Sequence, residues 1–341
     1  MFLTECFTSI MKRTFFSIAV LLTFSMALAI NFKPQDSTER LRAIGLTKGL
    51  SETLQKALDP GTDFDPVPIP KPGDWLAEHY ETGQTFDDFI NSKTSQPDKI
   101  RSKIYLQPLG EFPKGQVPLL DRLREYAVAY FAMEVGILPY LSLSDSNLTT
   151  RINPYTNNRQ ILTRDVLAIL KNEVPADAFC VLAITMEDLY PDPSWNFVFG
   201  QASLSERVGV YSFARYDPAF YGEKRSKDYE KILLRRSCKV LVHETGHMFG
   251  LKHCIYFKCV LNGSNHLREC DSRPMHLCPV CLHKLQYNIG FDVISRYVNL
   301  FCLYKKIGFD DDAKWVEDRL QWILPAGTTK RLLNGKTAQK K

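Results

Sequence analysis

The chain has 341 residues, 45% of them hydrophobic and 24% charged, enough for one large domain with extensions. Its net charge of +5 is spread without a dense basic run. That distribution argues against nucleic acid as the main partner.

Residues 14–30 form a mostly apolar run that follows Lys12 and Arg13 and ends in Ala27, Leu28 and Ala29. A charged start, an apolar middle and a small-residue exit read as a signal peptide, with removal after Ala29. The run also reaches the lower limit of a membrane span. Residues 1–30 are therefore expected as a signal peptide or membrane anchor; a core helix or a start at Met11 are the alternatives. A genuine leader places the chain in the secretory pathway or at a membrane, and otherwise it is cytoplasmic. The sequons at Asn147 and Asn262 matter only in the first case.

Residues 31–100 are expected as an N-terminal extension. It holds an amphipathic helix over 39–58 and a proline-rich wrap or linker over 60–72. Residues 101–109 alternate as a strand, 119–130 read as a helix and 134–143 as a short strand. Residues 157–170 lead into a second helix. A buried strand covers 179–185, and two more lie within 197–213. Alternating strands and helices ahead of a long helix predict a mixed α/β (α+β) architecture, a twisted sheet flanked by helices.

The long helix, expected over 229–249, carries His243, Glu244, His247, Gly250 and His253 in the pattern H-E-x-x-H-x-x-G-x-x-H. His243 and His247 are four apart, hence on one face, where two imidazoles can share a tetrahedral zinc. Glu244 is turned about 100° away, which suits it to hold a water rather than the metal. His253 can join only if the chain turns back, and Gly250 allows the left-handed conformation that ends helices. Three neutral histidines leave a fourth zinc position for water, and Glu244 is placed to take that water's proton. A zinc site of this kind without turnover is the alternative.

Cys254 and Cys259 follow at once, then Cys278 and Cys281 as C-P-V-C. Two close pairs across a loop suit a structural zinc with all four positions filled. The alternatives are two disulfides or buried free thiols, and Cys270 could replace one ligand. No basic helix accompanies the cysteines, so they do not read as a nucleic-acid finger. Helices are expected over 287–304 and 310–323, and residues 326–341 as a disordered, basic tail.

The histidine motif, the cysteine that follows it directly, the C-x4-C and the later C-x-x-C together resemble the archaemetzincins. The resemblance runs from about residue 68 to 309 and includes the stretches 177–191, 194–203, 212–216 and 263–267. It implies a zincin/metzincin-like catalytic domain, taken as residues 101–325, with a zinc-stapled C-terminal subdomain. By motif, the family's catalytic zinc falls on His243, His247 and His253, its general base on Glu244, and its structural zinc on Cys254, Cys259, Cys278 and Cys281. The implied function is a two-zinc metallopeptidase, aminopeptidase-like or acting on short peptides, with peptide or protein as substrate. A zinc protein that binds peptides without cleaving them is the rival. Membrane association would run through residues 14–30, although the family usually lacks a secretory leader. Residues 196–202 are the candidate edge strand for the substrate backbone. One departure stands out: the family's methionine beneath the zinc is Leu261 here. The two side chains have similar volume, and Met275 is not expected to substitute.

Overall fold

The computed structural model describes residues 32–112, 120–143 and 148–338. The expected leader and the Asn147 sequon lie outside these residues. Among the described residues, no helix is long and apolar enough to cross a membrane.

Four short helices come first: α1 (Ser37–Ile44), α2 (Glu52–Leu58), α3 (Trp75–Glu78) and α4 (Phe86–Asn91). The single helix expected over 39–58 is broken between α1 and α2. Asp36 and Glu39 form a capping box on α1, Ser51 caps α2, and Gly45 between them adopts φ +83°, a region glycine enters without strain. The order then runs β1 (Lys103–Leu109), α5 (Leu120–Phe131), β2 (Glu134–Ile137), β3 (Thr150–Ile152), β4 (Arg159–Leu162), α6 (Thr163–Asn172), β5 (Ala178–Thr185), β6 (Asp188–Tyr190), β7 (Gly200–Ala202) and β8 (Val208–Ser212). The remaining elements are α7 (Tyr229–Met248), α8 (Leu267–Ser272), α9 (Pro279–Ile289), α10 (Val293–Ile307), α11 (Asp310–Ile323) and α12 (Thr328–Ala338).

The main sheet has the order β2-β1-β5-β8-β7, parallel except for the antiparallel edge strand β7. β5 is buried along its whole length, as a central parallel strand covered on both faces must be. A second sheet, β3-β4-β6, escaped the sequence reading because strands of three or four residues show no usable periodicity. The α/β architecture is as expected, with α7 packed against α5, β5, β7 and β8.

The N-terminal extension is built into the core. Ala43, Leu58 and Phe89 share one apolar cluster with α7 and the C-terminal helices. The buried Arg319 guanidinium of α11 pairs with Asp63 at 2.8 Å and donates to the Ala57 carbonyl at 3.1 Å. The proline-rich stretch wraps the cysteine subdomain through a bridge between Pro66 and Phe257. Two expectations need correction at the C-terminal end. The helix expected over 287–304 is two helices, because Gly290 takes the left-handed conformation and ends α9. Residues 328–338 are helical rather than disordered: α12 packs on α10 and α11 and buries Leu333.

Candidate metal centres and active-site cleft

α7 presents His243 and His247 on one face, and the chain reverses at Gly250, where φ is +84°. A Cβ there would also lie 2.2 Å from Thr94 Cγ2, so glycine is required twice over, by conformation and by space. The reversal returns His253 to the other two histidines. Their Nε2 atoms converge, 3.1 Å apart for His243 and His247 and 3.2 Å for His243 and His253.

Each ring is held from behind. His243 Nδ1 donates to the Val260 carbonyl at 3.0 Å, His247 Nδ1 to the Leu251 carbonyl at 2.6 Å, and His253 Nδ1 to Glu81 Oε1 at 2.6 Å. Those bonds set the tautomer, leaving three Nε2 lone pairs aimed at one point. Lone pairs at that separation repel unless a cation lies between them. Burial, together with the neighbouring rings, keeps His243 well below the usual histidine range, and burial takes His247 down to about 3. Both are therefore neutral and competent as ligands at pH 7.

Glu81 was missed in the sequence, since nothing marks a carboxylate 172 positions from its partner. It also accepts Trp75 Nε1 at 2.8 Å. Burial pushes its carboxyl up, but the His253 and Trp75 hydrogen bonds outweigh that and its pKa lies below the usual value. Gln84 secures the same segment, donating to the Gly250 carbonyl at 3.2 Å and accepting from Lys252 N at 3.1 Å.

Glu244 is buried and packs beneath β7. A Cβ on Gly200 would lie 2.6 Å from Glu244 Oε1, so the edge strand must carry glycine where it crosses the carboxylate. Gly200 falls within the expected edge segment 196–202, though its role was not foreseen. Burial pushes the Glu244 carboxyl up to about 8, while the Arg273 guanidinium pulls it down. A cleft of about 510 Å³ opens here, lined by His243, Glu244, Val240, Gly200 and Arg273 and walled by Trp75, His79 and Trp195. The His79 ring stacks on Trp75 at 3.9 Å and on Trp195 at 5.3 Å.

Cys254, Cys259, Cys278 and Cys281 are buried, with their Sγ atoms within 4.8 Å of one another. None is disulfide-bonded, which removes the two-disulfide alternative. Burial opposes a thiolate at Cys254, yet hydrogen bonds from the other three sulfurs hold its pKa below the usual thiol value; burial pushes Cys278 up. Four buried sulfurs sharing protons in this way fit a tetrahedral thiophilic cation. Cys270 stands outside the quartet. Asn262 braces the loop, donating to the Cys254 and Phe257 carbonyls at 2.7 and 2.9 Å, so its amide is committed to the fold.

Leu261 is fully buried under α7, with Cδ1 3.1 Å from where a Gly246 Cβ would stand. It therefore occupies the floor beneath the histidines. Met275 lines a separate interior pocket with His276 and Tyr297. A third cluster, Asp74, His266 and Glu269, also gathers donors within 4.8 Å. His266 Nδ1 accepts from Glu269 N, so Nε2 carries the proton and donates to Asp74 at 3.1 Å. Both nitrogens are spent, and this cluster is a helix cap rather than a metal site.

The model for peptidase family M54 matches residues 143–287. Archaemetzincin-2 of Homo sapiens is 39% identical over 303 residues, covering 80% of each chain. The chain belongs to the archaemetzincin family. Archaemetzincin-1 of Mus musculus is 34% identical over 277 residues, covering 72% of this chain and 55% of the relative. The crystal structure of an archaemetzincin from Methanopyrus kandleri is 32% identical, with TM-score 0.44, covering 56% of this chain and 97% of its own. One from Archaeoglobus fulgidus is 29% identical, with TM-score 0.42, covering 53% and 99%. As an archaemetzincin, the protein is a zinc metallopeptidase, a hydrolase that acts on peptides or proteins.

Proposed function

We propose that this archaemetzincin binds two zinc ions and hydrolyses short peptides in an aminopeptidase-like manner, with Glu244 as general base. The observation that carries the reading is the committed Nδ1 atom of each histidine, which leaves three Nε2 lone pairs converging beside a buried carboxylate. His243, His247 and His253 would hold the catalytic zinc, and Cys254, Cys259, Cys278 and Cys281 the structural one. When bound, the catalytic zinc supplies Lewis-acid polarisation of the scissile carbonyl and acidifies a water.

Burial alone holds the Glu244 carboxyl protonated near neutral pH; beside a bound cation it would ionise, and it would then take that water's proton on a carboxylate oxygen and return it to the leaving amine. β7 is the sheet's edge strand, and an extended substrate can add to it by backbone hydrogen bonding. Gly200 lets that backbone run directly over Glu244. The aromatic wall of Trp75, His79 and Trp195 bounds a cleft sized for a few residues. Glu81 is the positioning residue for His253.

The test measures zinc per chain and cleavage of a mixed peptide pool, for the native protein and Glu244→Gln. Two zincs, with cleavage lost in the variant, are expected. Undiminished cleavage by Glu244→Gln refutes the mechanism. Two zincs with no cleavage by either protein would favour a peptide-binding protein instead.

A further inference from the structure

Arg273 stands immediately after α8 on the loop that leads to the second cysteine pair. It is only 9% exposed and lines the active-site cleft beside His243 and Glu244. A buried guanidinium is normally paired, because desolvating a lone charge is costly. Here its Nε has no partner, and among the described residues no carboxylate forms an ion pair with it. Its NH1 lies 3.4 Å from His243 Nδ1, but that nitrogen already donates to Val260, so two donors face each other and no hydrogen bond forms. Other buried arginines are better held: Arg215 donates two hydrogen bonds to Asp188, and Arg319 pairs with Asp63 although its Nε is unpartnered. Arg296, which also lacks a carboxylate and leaves NH2 unpartnered, donates to the Tyr130 carbonyl at 2.6 Å and lies over the Tyr130 ring inside the core, away from the cleft.

We propose that Arg273 is a specificity residue that receives a substrate carboxylate, so that the enzyme favours peptides with an acidic group next to the scissile bond. This rests on the zinc-peptidase reading above. The carboxylate is either an aspartate or glutamate side chain or a free C-terminus; both offer the planar acceptor that a guanidinium pairs with. The position fits. Val240 lies one turn before His243 on α7 and lines the same cleft, as does Phe199, giving the cleft an apolar side with a cation at its wall. Glu78, at the exposed mouth, is engaged with Gly73 N at 3.2 Å. Arg273 also borders a second cavity that contains Asp74 and Glu269. Neither carboxylate is free, since Asp74 bonds His266 and Glu269 accepts from Trp75 N and Asn265 N. A competing role, in which Arg273 only balances the negative charge of the cysteine cluster, predicts no substrate preference.

Binding is measured in the zinc-loaded Glu244→Gln protein, where turnover does not interfere. Matched peptides carry Glu, Gln or Leu at each position in turn, each with a free or amidated C-terminus. One acidic position, or the free terminus, is expected to bind about tenfold or more tightly than its neutral match. Adding Arg273→Met is expected to reduce that ratio to near one, and Arg273→Lys to retain part of it, with zinc per chain unchanged. A native ratio near one, or a preference that survives in Arg273→Met, overturns the proposal. An acidic preference in binding, lost in Arg273→Met but without cleavage by the native enzyme, supports Arg273 as the carboxylate-receiving residue and sinks the peptidase mechanism together with the placement beside a scissile bond.

Discussion

Replacing Glu81 with alanine is expected to weaken the histidine zinc site by about 10–100-fold in affinity, the usual scale for losing the carboxylate behind a ligating histidine. That corresponds to about 1.4–2.7 kcal/mol. The structure supports the upper half of this range. Glu81 Oε1 takes a 2.6 Å hydrogen bond from His253 Nδ1 and is itself fixed at 2.8 Å by Trp75 Nε1. Charge-assisted bonds of this kind contribute about 1.5–3 kcal/mol. Without the acceptor, His253 can rotate and take either tautomer, whereas His243 and His247 remain held by backbone carbonyls. Glu81→Gln retains an acceptor without its charge and is expected to lose about tenfold. Chelator competition, with the zinc proposed at the four cysteines as internal reference, reads this directly. A change of less than about twofold in both variants would refute the reasoning, as would loss of the two zincs in parallel from a folded Glu81→Gln protein.

Gly200→Ala would place a methyl 2.6 Å from Glu244 Oε1. Peptide cleavage should fall by about 100-fold as the base is displaced, at a stability cost of about 1–3 kcal/mol in denaturant unfolding and with zinc content unchanged. Cys278→Ser should leave one zinc per chain by elemental analysis and lower the melting temperature, since binding energy at a structural site is folding energy. An unchanged melting temperature would show that the quartet is dispensable. Burial, with Arg319 and Arg296 nearby, takes His276 down to about 3, and its ring stacks on Trp315 at 3.7 Å. Below pH 6.5 the unfolded chain protonates this histidine while the folded chain does not, so stability falls with falling pH. Between neutral pH and pH 5 the loss is about 2 kcal/mol, measured by urea unfolding. His276→Phe should remove that share of the slope, and an identical slope in both proteins would contradict it.

The chemistry was legible in the sequence because it is local. Eleven consecutive residues place two histidines one helical turn apart and supply a glycine for the reversal, and the cysteines that follow cluster within one loop region. Their spacing already specifies which atoms can meet. The buried run of β5 and the amphipathic α7 showed themselves by hydrophobic pattern for the same reason. The break between α1 and α2, the short strands β3, β4 and β6, and the helix α12 did not. The short segments, and the mostly polar α12 with them, follow from the surface they pack on, not from their own periodicity. The surroundings of the site were hidden as well. Glu81 reaches His253, Gly200 makes room for Glu244, and Arg273 arrives at the cleft wall, each from a segment far away in the chain. Sequence alone named the candidate ligands and the candidate base. Only the tertiary structure decided what orients them and what charge lines the cleft beside them, because contacts between distant segments are set by packing and carry no spacing rule.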